Sequence, residues 1–279
     1  MLTDGLDGGL TDKMRIDVAL VKLGLVDSRE RAKYHITAGE VFVNGKAVIK
    51  PSVMVSLSEE IKLENNTSMN FVGRGGLKLE KAIKFGGYDL KGATCLDVGA
   101  STGGFTDCML RHGAALVYAV DVGHGQLHPK LASDPRVVNL EGKDIRDSDE
   151  LLRVIPPNSA DFCSIDVSFI SLKKIFSYVM PFLKTSANIV CLIKPQFEAG
   201  RENIGKNGVV KNPKAHINVI NELISFFKST GFRLKGLTYS PVTGGEGNIE
   251  YLALLHQGMD SGSLLDIDNV VKEAHMVLK

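Results

Sequence analysis

Seven short apolar runs follow one another after Lys78, with segments of helical period between several of them, and this alternation constrains the fold more than any other feature. The runs are TCLDVG, ALVYAVDVG, RVVNLEG, ADFCSIDVS, NIVCLIKP, RLKGLTYSP and IEYLALLHQ. Strands of this kind are apolar on both faces, which calls for a mostly parallel sheet covered by helices on each side. Ligands in such sheets bind beyond the carboxyl ends of the strands. The loop after the first run, LDVGASTGGFTD, therefore stands where a ligand would be held.

The spacing in that loop narrows the ligand. Gly99, Gly103 and Gly104 fail the G-x-G-x-x-G dinucleotide pattern, and no Gly-Lys-Ser or Gly-Lys-Thr closes the loop as a phosphate cradle would. Asp97 at the strand end repels a pyrophosphate and favours a cation. S-adenosylmethionine is such a ligand, with an ammonium, a sulfonium, an adenosine and no phosphate. The residues expected to hold it are Asp97, Gly99, Ser101, Gly103, Gly104 and Phe105 of the loop, together with Asp166. Asp121, ending the second run, is placed for the ribose hydroxyls, and Asp144, in EGKDIRD, for the adenine amino group.

Four residues at the same sheet edge suggest what is done with the donor. Lys78 lies on the helix entering this region, Asp166 ends the fourth run, Lys194 ends the fifth, and Glu250 opens the last. A ribose hydroxyl is hardly ionised at neutral pH, so a base must take or share its proton. A free lysine, with a pKa of about 10.4, is protonated. Desolvation and a second cation favour the neutral amine, so Lys78 and Lys194 together are expected to supply the base, with either lysine able to lose the proton. Lys194 approaches the hydroxyl, Asp166 orients it, and Lys78 and Glu250 fix the set by charge. Pro195 anchors the chain directly after Lys194. Glu246 is a competitor for Glu250 but sits in a glycine-rich turn.

Ahead of this region lies a smaller, basic one. The net charge of the chain is +1, yet Met14 to Lys50 carries an excess of Lys and Arg. Ile16, Ala19, Leu20 and Leu23 recur at helical spacing up to Gly24. Ser28 is an N-cap for a second helix whose buried stripe is Ala32, His35 and Ile36, ending at Gly39. VFVNGKAV then alternates about Asn44-Gly45, a hairpin signal. Arg29, Arg31 and Lys33 fall outside the stripe, with Arg15 and Lys46 expected nearby. An anionic partner docking here is the expectation.

Ser28, Arg29, Ala32, Ile36, Gly39, Val41, Val43, Asn44 and Gly45 resemble the pattern of the ribosomal-protein S-four type of RNA-binding domain. The resemblance implies that Arg15, Arg29, Arg31, Lys33 and Lys46 contact RNA phosphates. The set Lys78, Asp166, Lys194 and Glu250 resembles the tetrad of FtsJ-type ribose methyltransferases. With the motifs RGGLKL, LDVGASTGGFTD, DVGHGQL, SIDVSFISL and LIKPQFE, the chain from about Arg15 to His256 is similar to the TlyA or hemolysin A family. That resemblance implies a Rossmann-like class I methyltransferase with a seven-stranded, mostly parallel sheet, preceded by a small α+β RNA-binding domain. It further implies cytidine 2'-O-methylation, with ribosomal RNA or ribosomal subunits as partner.

The expected domains are a disordered leader over 1–14, the S-four type domain over 15–63, a linker over 64–75, the methyltransferase over 76–257 and a tail with a short helix over 258–279. Two other functions are weighed against the enzyme. A membrane-active hemolysin would need lipid-facing surface, and no apolar run approaches the roughly 18 residues of a span. A non-catalytic RNA-binding assembly factor would have no use for the tetrad. The four cysteines lack C-x-x-C spacing, which points to reduced thiols and a cytoplasmic protein. His124 and His128 are four apart, but Gly125 and Pro129 weaken a helix there and no third ligand is near, so no metal is expected. Residues 199–211, AGRENIGKNGVVK, are either a loop over the RNA or a plain surface loop.

Overall fold

The computed structural model describes residues 13–26, 28–37, 40–63, 71–244, 247–258 and 265–278. The chain divides into two compact units, Met1–Asn70 and Phe71–Lys279.

The first unit runs β1 (Lys13–Arg15), α1 (Ile16–Lys22), α2 (Arg29–Thr37), β2 (Val41–Val43), β3 (Lys46–Val48), β4 (Met54–Ser56) and β5 (Ile61–Leu63). Ser28 Oγ accepts the Arg31 N–H at 3.2 Å, which caps α2. Asn44 and Gly45 both take positive φ, 50° and 75°, as a tight hairpin between twisted strands requires. Ile16, Ala19, Leu20, Ala32, Ile36 and Val41 close the core. Lys13 and Met14, expected from sequence in the leader, instead pair with Ser56 and Val55 in an antiparallel ribbon. The rest of the leader, Gly39 and most of the 64–75 segment lie outside the described residues.

The second unit runs α3 (Gly75–Gly86), β6 (Thr94–Val98), α4 (Gly104–Arg111), β7 (Leu116–Asp121), α5 (Pro129–Ala132), β8 (Val137–Glu141), α6 (Ser148–Leu151), β9 (Ala160–Ile165), α7 (Phe176–Val179), β10 (Leu183–Ile193), α8 (Pro195–Glu198), α9 (Pro213–Ser229), β11 (Phe232–Tyr239), β12 (Tyr251–Gln257) and α10 (Ile267–Val277). All seven apolar runs are strands of one sheet, ordered β11-β12-β10-β9-β6-β7-β8. The pairs among β6 to β10 are parallel, and β12 lies antiparallel between β10 and β11. From β6 the chain proceeds outward through β7 to β8, then returns to the other side of β6 with β9. That reversal opens a crevice at the carboxyl ends of β6 and β9.

Two segments expected outside the domain from sequence belong to this unit. Phe71 is buried and the Val72 N–H donates to Asp107 Oδ2 at 2.9 Å, so the chain is already docked before α3 begins. In the tail, Val271, Ala274 and His275 of α10 are buried, and His275 stacks at 4.8 Å on His216 of α9. The tail reads as polar because a helix docked by one stripe exposes the remainder of its surface.

Candidate active site

The crevice is a cleft of about 220 Å³. Lys78, Asp166, Lys194 and Glu250, expected from sequence to act together, all line it. Their scaffold explains the convergence. Lys78 lies on the first turns of α3, Asp166 directly follows β9, Lys194 directly follows β10, and Glu250 directly precedes the antiparallel β12. An antiparallel strand starts where its parallel neighbour ends, so Glu250 reaches the same edge as Lys194.

Each lysine has its own carboxylate. Lys78 Nζ donates to Glu250 Oε2 at 2.6 Å, with both residues buried. Lys194 Nζ lies 2.6 Å from Asp166 Oδ1 and donates to Ser168 Oγ at 2.9 Å. The Lys194–Asp166 contact is one of charge, because Asp166 Oδ1 is buried and makes no hydrogen bond. Gly244 packs closely on Glu250, since a Cβ there would stand 2.1 Å from Glu250 Oε1. Glu246, the weighed alternative, lies outside the described residues.

The loop residues divide. Gly99, Ser101, Gly104 and Phe105 line the cleft. Gly103 is turned behind it, where a Cβ would meet Leu131 at 2.2 Å. Asp97 lies beneath the floor, fully buried, with Oδ2 accepting from Thr106 Oγ1 at 2.6 Å and Oδ1 from Ser164 Oγ at 2.8 Å. Asp121 holds the loop itself: its Oδ2 accepts the Ser101 N–H at 2.8 Å and its Oδ1 the Gly123 N–H at 2.7 Å. Each of those oxygens keeps a second lone pair. Asp144 is engaged by Arg146, whose Nε donates to Oδ1 at 3.0 Å. Sequence reading missed Arg74, Thr102, Thr243 and Gly244 as lining residues, and only Arg74 carries a chemical signal that could have marked it. It also missed Phe169, whose ring is 91% exposed and meets Phe197 at 5.1 Å.

Burial of Asp97 has a measurable consequence. Desolvation pushes its pKa up to about 6, against the opposing hydrogen bonds from Thr106 and Ser164. The folded chain therefore keeps a proton that the unfolded chain has lost, and the resulting stability disappears as pH rises from near 4 through 6. Urea unfolding of the parent and of Asp97→Asn at pH 4 and pH 7 is expected to show this. The parent loses about 2 kcal/mol relative to the variant between the two pH values. An unchanged difference would exclude a proton on Asp97.

In the first unit, Arg31, Lys33 and Lys46 are exposed. Arg15 and Arg29 converge on Asp17, a fully buried carboxylate: Arg15 Nε donates to Oδ1 at 2.9 Å and Arg29 Nη2 to Oδ2 at 2.8 Å. Among the described residues, the side chains that gather with metal-ligand chemistry are Glu80, Cys108 and His112, and not His124 with His128. His112 Nε2 and Glu80 Oε2 are already joined at 2.5 Å, tying α4 to α3.

A parallel sheet that reverses at β6 and β9, carries an antiparallel β12 between β10 and β11, and gathers a lysine-carboxylate tetrad beside a glycine loop without a phosphate-binding lysine defines a Rossmann-like methyltransferase. Residues 71–257 match the FtsJ-like methyltransferase family and residues 14–61 match the S4 domain. The chain belongs to the FtsJ-like methyltransferases. It is 44% identical over 274 residues to YqxC of Bacillus subtilis, named as a candidate rRNA methyltransferase, with 96% of each chain covered. It is 37% identical to the 16S/23S rRNA (cytidine-2'-O)-methyltransferase TlyA of Mycobacterium tuberculosis, covering 89% of this chain and 91% of that one. A solved structure from Streptococcus thermophilus, described as a hemolysin candidate, superposes with a TM-score of 0.70 at 42% identity, covering 96% and 97% of the two chains.

Proposed function

We propose that this chain uses S-adenosylmethionine to methylate the 2'-hydroxyl of a cytidine ribose in ribosomal RNA. The observation that carries the reading is the pair of ion pairs, Lys78–Glu250 and Lys194–Asp166, facing one cleft with the glycine loop. The cleft fits the donor. Its wall offers the Asp166 carboxylate and the backbone of Gly99 and Gly104, where no side chain intervenes. Gly99, Ser101, Gly104, Phe105 and Asp166 would hold the donor, with Asp121 accepting from hydroxyls through its spare lone pairs. Asp97 would act from beneath, fixing the loop through Thr106. When bound, S-adenosylmethionine supplies a methyl group already activated by the sulfonium charge.

The chain's own part is to place the hydroxyl and move its proton. Lys194 Nζ would take the ribose proton as the methyl arrives, and the Asp166 carboxylate, 2.6 Å away, balances the charge of the ammonium that results. Ser168 Oγ fixes the amine while this happens. Lys78 is held to Glu250 at 2.6 Å at the cleft wall, where a cation favours the developing alkoxide. Alignment of the hydroxyl with the donor accounts for most of the acceleration. The exposed Phe169 ring gives a base a face to stack on. In the first unit the exposed Arg31, Lys33 and Lys46, together with Arg15 and Arg29, which Asp17 holds, would take RNA phosphates.

Purified protein with labelled donor is expected to methylate unmodified 16S or 23S ribosomal RNA, or the assembled subunits, with the label mapping to a cytidine ribose by mass spectrometry. Label on a base, or none, would overturn the reading. Among the described residues no helix is long and apolar enough to cross a membrane. Liposome leakage that survives Lys194→Ala would favour the hemolysin instead, and failure to bind donor at millimolar concentration would favour a non-catalytic assembly factor.

A further inference from the structure

Many basic side chains of the second unit are matched to a carboxylate. Arg111, Arg136, Lys143, Arg146, Lys173 and Lys184 each form an ion pair. Between Gly200 and Lys214, four exposed cations without such a match cluster in one segment. Arg201, Lys206, Lys211 and Lys214 are all exposed, and among the described residues none has a side-chain ion pair or hydrogen bond. The carboxylate among them, Glu202, accepts from its neighbour Asn203 at 3.2 Å.

This segment is fastened in place. Asn248, only 4% exposed, donates from Nδ2 to the Gly208 carbonyl at 3.1 Å and accepts the Val210 N–H at Oδ1, 3.2 Å away. The Val210 carbonyl accepts from His216 Nε2 at 2.8 Å, so His216 Nδ1 is the acceptor for the Tyr251 hydroxyl at 2.7 Å. Asn248 and Tyr251 lie on either side of Glu250. The loop is thus tied, through two side chains, to the stretch of chain that delivers Glu250 to the cleft. At its other end it leaves α8, where Phe197 sits 5.9 Å from Lys194 Nζ.

We propose that this fastened loop is a docking site for the phosphate backbone of the RNA strand that carries the target ribose, with Arg201, Lys206 and Lys211 as the contacting cations. The proposal rests on the RNA methyltransferase reading above and adds a contact surface to it. A phosphodiester strand carries condensed counterions that Lys and Arg side chains displace, and the release of those counterions drives binding. Fastening by Asn248 and His216 lowers the ordering cost that a loose loop would bear on binding. Asn248 is then a positioning residue, acting through the loop.

The test compares the parent, the triple variant Arg201→Ala/Lys206→Ala/Lys211→Ala, and Asn248→Ala, all as full chains. Equilibrium binding of unmodified 16S and 23S ribosomal RNA is measured from low to moderate salt, alongside S-adenosylmethionine binding and methyl-transfer rates. The triple variant is expected to bind RNA about tenfold or more weakly near physiological salt, with the slope of log affinity against log salt reduced by about 2. Donor binding is expected to stay unchanged, and KM for RNA to rise with kcat near the parent value. Asn248→Ala, which keeps the charges, is expected to raise KM while leaving the salt slope of the parent. RNA affinity and slope in the triple variant equal to those of the parent would overturn the proposal. A parent that binds RNA but transfers no methyl group would sink the proposed function, while the binding comparison would still decide this surface.

Discussion

Replacing Lys194 by alanine is expected to lower methyl transfer about a thousandfold or more while S-adenosylmethionine still binds, because in the proposed function the amine moves the proton and does not hold the donor. Lys194 is 9% exposed, fixed by the end of β10 on one side and by Pro195 on the other, and its Nζ contacts Asp166 and Ser168. Lys78 is the other lysine lining the cleft, and Glu250 holds it at 2.6 Å. Alanine also leaves Asp166 without its counter-charge, so a stability loss accompanies the loss of rate. Lys194→Arg separates the two effects. A guanidinium restores the charge and the ion pair but does not give up its proton. The arginine variant should regain stability and remain inactive in single-turnover assays. An active Lys194→Arg would assign the lysine a purely electrostatic part, and an active Lys194→Ala would remove it from the mechanism.

How far the sequence can be read follows from which interactions are local. Each of the seven strands is legible because burial on both faces writes itself into consecutive residues, as in the ADFCSI of β9. The four cleft residues are legible for a related reason: a parallel sheet brings strand ends to one edge, so residues just past an apolar run are already placed. Their partners are not. Lys78 meets Glu250 from 172 positions away and Asp97 meets Ser164 from 67, and no periodicity reports such a pairing. Its place at a strand end makes Asp97 look like a cleft acid, yet alternation sends it under the floor. Asp144 looks like a free acceptor, but Arg146 sits two residues on and folds back to it. Arg15 and Arg29 look like an open basic face, and the acid that organises them, Asp17, draws no attention because a single acid in a mostly apolar helix has no pattern.

Gly99→Ala is expected to disable the site by a purely structural route, and the geometry at the strand crossing says why. Gly99 has φ of +85°, a conformation that costs a residue with a Cβ about 1 kcal/mol or more. A Cβ there would lie 2.2 Å from the Asp166 carbonyl oxygen and 2.8 Å from its carbon, and backbone cannot swing aside as a flexible side chain does. The Asp166 N–H donates to the Val98 carbonyl at 2.9 Å, so the ends of β6 and β9 are joined beside the cleft that Gly99 and Asp166 line. Any relief of the clash parts this junction and carries Asp166 away from Lys194. The combined cost is about 2–4 kcal/mol, which for a unit of this size lowers Tm by about 5–15 °C. Donor affinity should fall by about a hundredfold and methyl transfer with it. Gly92→Ala is the control, since Gly92 has φ of +75° but nothing within 4 Å of the point where the added methyl would stand. That variant bears the conformational cost alone, about 1 kcal/mol, and should bind donor as the parent does. If calorimetry found equal donor affinity in both variants, the close approach of Gly99 to Asp166 would not be what shapes the cleft.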